Sequence, residues 1–139
     1  MADLIFNRFV TNLATKQISL TGDIIKVALF PVAYVPNHLT QNVWADISAA
    51  ECTGTGYTTG GAILASKTVT EDESGGGAVF DCADVTWVNS TITARYAVLY
   101  DDTLATKDLI AVYDFVTDKV SSGGDFVLTI NASGLFKIA

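Results

Sequence analysis

The sequence contains few of the residues on which most catalytic sites depend. Its 139 residues include a single histidine, two cysteines and two prolines. A serine or cysteine nucleophile needs a base held by a third group, and only His38 is available for that role. His38 follows the turn residues Pro36 and Asn37, and the chain has no GxSxG motif. We therefore interpret His38 as a solvated loop residue and predict a non-enzymatic protein without catalytic residues, metal or cofactor.

Charged residues are also scarce, at 17% of the chain against a typical value of about 25%. The net charge is −7, and the sequence has no cluster of lysines and arginines that would neutralise phosphates. This balance argues against nucleic acids and anionic membranes as partners. The uncharged surface, rich in Thr, Ser and Gly, is typical of proteins packed against neighbours, although many free-standing β domains share it.

Long hydrophobic runs are absent as well. The apolar stretch at 24–35 is short and is interrupted by Lys26, so it does not reach the length of a membrane span. The first twenty residues carry Asp3 and spaced apolar residues rather than the pattern of a signal peptide, which predicts a protein that is not exported. In that setting Cys52 and Cys82 are predicted to be buried thiols rather than a disulfide.

What the sequence does contain is a series of short alternating segments. The clearest is residues 91–100, where one apolar face is predicted to hold Ile92, Ala94, Tyr96, Val98 and Tyr100. Turn residues separate these segments, with tight turns predicted at 89–90 and 121–124. Further strands are predicted at 24–30, 62–70, 78–83, 85–88, 109–115, 125–131 and 135–138, with one bent strand as the alternative for 78–83 and 85–88. This regular spacing predicts a single all-β domain over residues 1–139, built as a sandwich or a barrel.

The first part of the chain has a helical period instead. Phe6, Phe9, Val10 and Leu13 share one helical face, Asp3 is placed to cap the start and Lys16 lies near the end. We predict a helix over residues 3–16 within an N-terminal helix or arm at 1–20. The helix lies over one end or edge of the sheet, or it packs as an arm on a neighbouring subunit; the sequence leaves both open.

Three further motifs have a structural and a functional interpretation. The glycine-rich segment at 54–61 lacks the GxGxxG and GK[ST] patterns and precedes a strand, so we interpret it as a backbone-shaping turn rather than a phosphate loop. The carboxylates at 71–73 are predicted to form a solvated tip, with calcium binding and glycosidic chemistry as the alternatives. Aromatic residues on strands are assigned to a core or an interface, with a sugar-binding surface as the alternative. These aromatic residues are Trp44, Tyr57, Trp87, Tyr96, Tyr100 and Tyr113.

Several segments of the chain together resemble a known protein family. They are GTGYTTGGAILASKTV at 54–69, AVFDCADVTWVNSTITARYAVLYDD at 78–102, LIAVYDF at 109–115 and SSGGDFVLTINASGLFKI at 121–138. The start of the chain, a helix followed by DIIKVALFPVAYVPN at 23–37, fits the same order. The chain is similar to small virion structural proteins of tailed bacteriophages, among which it resembles the capsid decoration, or cement, proteins.

This resemblance implies a jelly-roll-like β-sandwich with a short N-terminal helix and no catalytic residues. It also implies a place on the outer surface of the capsid, where the protein binds the major capsid protein and stabilises contacts between its subunits. A homodimer or homotrimer is expected, because closed symmetry is the rule for homo-oligomers. The alternatives are a component of the tail, the head–tail junction or a fibre, the last with receptor or glycan binding.

The N-terminal segment and the long connection at 31–50 carry more apolar residues than a solvated segment needs. We predict that these two segments contact the capsid or a neighbouring subunit. The predicted contact residues are Phe6, Phe9, Val10, Val35, Val43 and Trp44. Deletion of residues 1–15 is accordingly expected to abolish capsid binding while leaving the β fold intact.

Overall fold

The architecture is mostly β, in agreement with the all-β prediction. A computed structural model describes residues 4–139, and these form two antiparallel sheets and one short helix. The helix, α1, covers Asn7–Ala14. The strands are β1 (Leu4–Ile5), β2 (Ile25–Phe30), β3 (Ala62–Ile63), β4 (Thr68–Glu71), β5 (Ala78–Asp81), β6 (Val85–Asp101), β7 (Leu109–Leu128) and β8 (Phe136–Ile138).

The larger sheet is organised around the long antiparallel pair β6 and β7. Its strand order is β1-β7-β6-β2-β3, and the smaller sheet has the order β4-β5-β8. The predicted strand at 24–30 is confirmed as β2, which ends where Pro31 removes a ladder donor. The predicted strand at 62–70 is instead two strands, because the chain crosses from the larger sheet to the smaller one between Ile63 and Thr68.

Both faces of the larger sheet are covered. The main core lies on the face shared with the smaller sheet and includes Phe9, Ile25, Val27, Leu29, Phe80, Trp87, Ile92, Leu99, Ile110, Tyr113, Phe126 and Phe136. The second core lies on the other face and consists of Phe6, Ala28, Phe30, Tyr34, Ile47, Val98, Tyr100, Leu109 and Val112. Successive side chains of a strand point to opposite faces, so the fully buried run Ala97–Asp101 supplies both cores.

Strand β6 changes the face that it buries at two irregular positions. Trp87, Ile92 and Leu99 all belong to the main core, although the intervals between them are odd and an uninterrupted strand would place them on alternating faces. The register against β7 shifts between Trp87 and Ser90, and again between Ala94 and Tyr96. Each bulge changes the phase of the strand, so apolar residues on either side of it point into the same core.

Three sequence predictions are therefore wrong in this region. The predicted face is divided between the two cores, because Ile92 and Ala94 point into the main core whereas Val98 and Tyr100 point into the second core. The predicted turn at 89–90 is a bulge within β6, where Asn89 has a φ of 48°. The predicted turn at 121–124 likewise lies within β7, and pairing continues through it to Leu128.

Two buried hydroxyl groups meet beside these bulges. Ser90 and Ser121 are 0% and 6% exposed, and their Oγ atoms lie 2.8 Å apart. Ser121 Oγ also accepts a hydrogen bond from the backbone N–H of Ile92, and Ser90 Oγ donates to the carbonyl of Gly124. The two side chains thus satisfy polar groups that the interrupted ladder would otherwise leave unpaired.

The N-terminal helix, Asn7–Ala14, is shorter than the helix predicted over residues 3–16. Leu4 and Ile5 pair with Val112 and Ala111 of β7, and Phe6 is also extended, so residues 4–6 are extended rather than helical. The helix ends at Ala14, and the next residues turn away from it. Phe6 at the start of the helix provides no side-chain cap, and the predicted cap Asp3 lies outside the described residues.

The glycine-rich segment lies directly against strand backbones, as its composition indicated. Gly61 has a φ of 80°, and a Cβ atom at this position would lie 1.9 Å from the carbonyl oxygen of Val27. Glu51 fastens the segment by accepting hydrogen bonds from Gly60 N–H and from the Tyr57 hydroxyl, each at 2.7 Å. Burial raises the pKa of Glu51, and these two hydrogen bonds offset part of that rise.

The contact between Gly61 and β2 predicts a sharp difference between two glycine substitutions. Gly61→Ala is expected to lower the free energy of unfolding by about 3 kcal/mol, because the methyl group meets the Val27 carbonyl and the backbone has positive φ. Gly124→Ala is the control, since a Cβ there meets nothing within 4 Å. Urea unfolding of both variants measures the difference; equal stabilities would contradict the close approach.

Candidate interaction surface

The apolar residues that the fold leaves exposed define where a partner would bind. Large apolar side chains that remain exposed are Leu4, Val10, Ile24, Val32, Val35, Leu39, Ile63, Val69, Val88, Val116, Val120 and Val127. Most of these valines lie singly on strands, which is ordinary for a protein surface. Leu4, Val10, Val35 and Leu39, however, lie on two segments that contact each other, the N-terminal segment and the connection at 31–41.

Val35 and Leu39 are presented by a loop with a dense set of internal hydrogen bonds. The Asn37 side chain accepts from the N–H groups of Leu39 and Thr40, at 3.1 and 3.2 Å. Gln41 accepts from the Tyr34 hydroxyl at 2.8 Å and donates to the Val35 carbonyl at 3.1 Å. Val35 and Leu39 are 75% and 59% exposed, so two apolar side chains stand in solvent on a loop that is already ordered.

The N-terminal segment lies next to this loop. The Asn7 N–H donates to the His38 carbonyl at 3.0 Å, and Leu4 and Pro36 line one shallow depression together with Tyr96. Val10 follows Asn7 by three positions on α1, and residues at that spacing are neighbours on a helix surface. We call the set Leu4, Val10, Val35, Pro36 and Leu39 the N-terminal face.

The structure divides the six predicted contact residues into three groups. Val10 and Val35 are exposed and belong to the N-terminal face. Phe6 and Phe9 are 0% and 1% exposed and lie in this chain's own second and main cores, where a partner does not reach them. Their burial also argues against the expectation that residues 1–15 can be removed without loss of the fold.

Val43 and Trp44 form the third group, and both are half-buried within the connection that covers the second core. The Trp44 ring stacks on Tyr100 at a centroid distance of 4.4 Å, and the backbone N–H of Trp44 donates to the Lys107 carbonyl. Val43 forms an isolated β-bridge with Asp108. Through these contacts, Val43 and Trp44 hold the connection on the larger sheet.

An apolar groove borders the N-terminal face on the side of β8. It has a volume of about 220 Å³ and lies between α1 and the C-terminal strand. Its apolar lining includes Ile5, Phe9, Val10, Leu13, Phe136 and Ile138. Val10 therefore takes part both in the groove and in the exposed surface beside it.

The aromatic residues weighed as a sugar-binding surface lie mainly inside the fold. Trp87, Tyr100 and Tyr113 are at most 5% exposed. The rings of Tyr57 and Trp87 pack against each other at 6.1 Å, and the Tyr57 hydroxyl accepts a hydrogen bond from Leu29 N–H. Tyr96 packs against Tyr34 of the second core at 5.6 Å. These contacts favour the interpretation of the aromatic residues as core.

The acidic tip at 71–77 has a structural explanation. Asp72 accepts hydrogen bonds from the N–H groups of Ser74 and Gly75 and from the Lys137 ammonium group. These bonds hold the pKa of Asp72 well below its usual value, and the bond from the Gly75 N–H contributes most to that lowering. The carboxylate therefore closes its own turn and connects it to β8.

Other classes of site have no counterpart among the residues that the structure describes. Within residues 4–139, no group of three or more His, Cys, Asp or Glu side chains is placed to hold a metal ion. No helix in the same range is long and apolar enough to cross a bilayer. Cys52 and Cys82 are buried free thiols, as predicted, and burial raises the pKa of each to about 11.

Comparisons of this chain with protein-family models, with curated proteins and with solved structures found no match. The sequence resemblance and the geometry of the N-terminal face are therefore the two observations that bear on function. Sequence reasoning missed Leu4 and Leu39 as members of this face. The Pro36-Asn37 turn signal, with Val35 before it and Leu39 after it, was the available indication that both side chains point outward.

The division between buried and exposed contact residues predicts very different losses of stability for two neighbouring substitutions. Phe9→Ala is expected to lower the free energy of unfolding by about 3–5 kcal/mol, because it leaves a cavity in the main core. Val10→Ala is expected to change it by less than about 0.5 kcal/mol, because the side chain is largely in solvent. Thermal and urea unfolding compare the two; a large loss in Val10→Ala would mean that Val10 is part of the core.

Proposed function

We propose that this chain is a non-enzymatic structural protein of a bacteriophage virion, most specifically a capsid decoration protein. It binds the outer surface of the head, where it stabilises contacts between subunits of the major capsid protein. The observation that carries this proposal is the sequence resemblance, which covers nearly the whole chain and keeps its segments in order from 23–37 to 121–138.

We infer that the two sheets stack as a jelly-roll-like sandwich around the main core. Support comes from the composition of that core, which combines Val27 and Leu99 of the larger sheet with Phe80 and Phe136 of the smaller one. A stiff body of this kind holds its loops at fixed positions, which suits a protein that bridges neighbouring subunits.

The N-terminal face is the proposed contact surface. Val35 and Leu39 are exposed on an ordered loop, so little conformational entropy is lost when a partner covers them. Val10 and Leu4 extend the apolar surface along the N-terminal segment. A patch of this size binds weakly by itself, but a homodimer or homotrimer engaging a repetitive shell gains avidity from several such contacts at once.

The number of copies in the virion tests the proposed role. Quantitative mass spectrometry of purified particles is expected to give a ratio to the major capsid protein that is typical of a shell-wide component. A handful of copies per particle would instead place the protein at the portal, tail or fibres, and the decoration role would be wrong. The same particles, treated to remove the protein, are expected to lose resistance to heat and to low ionic strength.

Substitutions in the N-terminal face test the proposed contact surface. Val35→Asp and Val10→Asp are expected to weaken binding to undecorated capsids at least tenfold, since each puts a charge into an apolar contact. Val88→Asp is the matched control, because Val88 is 60% exposed, close to Val10 at 57%, and lies on β6 outside this face. Co-sedimentation with capsids measures binding, and equal loss in all three variants would reject the assignment of this face.

A further inference from the structure

An unpartnered carboxylate oxygen lies buried at the end of β6. Asp101 is 0% exposed, and its Oδ1 accepts a hydrogen bond from the Thr103 N–H at 2.9 Å. Its Oδ2 is also buried, yet none of the described residues donates a hydrogen bond to it. An ionised carboxylate in this position would carry a large desolvation cost while one of its two oxygens accepts no hydrogen bond.

A second carboxyl group lies beside the Asp101 side chain. The side chain of Asp23, in the loop before β2, lies within hydrogen-bonding reach of the Asp101 side chain. Asp23 is half-buried, and its Oδ2 accepts from the Ser19 N–H at 2.9 Å. Two carboxylates this close repel each other when both are ionised, whereas one proton between them creates a hydrogen bond.

The two aspartates belong to segments that are connected at several further points. The Ile24 N–H donates to the Thr103 hydroxyl at 2.7 Å, and the Asp102 N–H donates to the Ile24 carbonyl at 2.8 Å. The Lys67 ammonium group donates to the main-chain carbonyl of Asp23. The Asp101–Asp23 contact therefore lies in the middle of the junction between residues 19–24 and the end of β6.

We propose that Asp101 and Asp23 share one proton, which Asp101 Oδ2 donates to the Asp23 carboxylate, and that this proton holds residues 19–24 against the end of β6. As the pH rises through neutrality, the proton leaves to solvent and two carboxylates face each other. The junction then loosens, so the shared proton stabilises the fold most in acidic solution.

The other charged groups around this junction are already engaged. Asp102 is paired with Lys26 at 3.4 Å and with Lys107. Asp108, whose carbonyl accepts the Asp101 N–H, is bound through its carboxylate to Arg8 at 3.5 Å and to Asn12. Lys67 donates to the main chain of Asp23. The cations near Asp101 are thus directed at other acceptors, which leaves a proton as the group that neutralises it.

The direction of the pH effect follows from where the proton is held. Burial first, and then the contact with Asp23, raises the pKa of Asp101 from 3.8 to about 7. The unfolded chain releases this proton near its ordinary value of about 3.9. The shared proton therefore makes its full contribution to the free energy of unfolding below a pH of about 3.9. This contribution is lost as the pH rises through about 7.

The experiment is a titration of the intact chain combined with unfolding at several pH values. The ¹³C signal of the Asp101 carboxyl group is expected to titrate near neutrality. The contribution of this group makes the folding equilibrium constant fall by on the order of tenfold per pH unit between pH 4 and pH 7. In Asp101→Asn this slope is expected to disappear, because the amide donates to Asp23 at every pH.

Asp118→Asn is the control, since it removes the same charge from an exposed position and is expected to keep the slope. Asp23→Asn provides a second variant in case Asp101→Asn does not fold, and it is expected to flatten the slope because the new amide donates to an ionised Asp101. An Asp101 signal that titrates near 4, or an unchanged slope in Asp23→Asn, would overturn the proposal.

Discussion

The register of β6 against β7 is the constraint on which the rest of the structure depends. These two strands supply residues to both cores, and they place the neighbours β1 and β2 at their outer edges. Without the phase changes at Asn89 and Arg95, Trp87 and Leu99 would point to opposite sides of the sheet from Ile92. The bulges therefore convert one long ribbon into three short stretches that all bury their apolar side chains.

These phase changes explain which parts of the fold were predictable from sequence. The strand at 25–30 was identified because its apolar run is local and Pro31 marks its end. Asn89-Ser90 and the segment at 121–124 were assigned as turns from composition, and Asn89 and Gly123 do adopt positive φ. Whether such residues reverse the chain or only shift its register depends on the strand that pairs opposite them, which local composition does not encode.

The candidate surface was predictable in part for a related reason. Helical periodicity placed Phe6, Phe9 and Val10 close together, but it does not say which of them a sheet covers. The connection at 31–50 is rich in apolar residues because Tyr34 and Ile47 close the second core, whereas Val32 and the loop around Asn37 turn apolar side chains outward. A surplus of apolar residues in a connection can thus mean an internal lid, an external contact or, as here, both.

The pairing of distant segments has a consequence for how the chain acquires its structure. Leu4 and Ile5 pair with residues 112 and 111, and β8 pairs with β5 across more than fifty residues. Most of the chain has therefore been synthesised before β1 or β8 can pair with its partner strand. Folding of the complete architecture is consequently largely post-translational. Topologies dominated by such long-range contacts fold slowly, and their unpaired edges stay accessible meanwhile. During high-level synthesis, self-association of incomplete chains competes with the closing of these two edges.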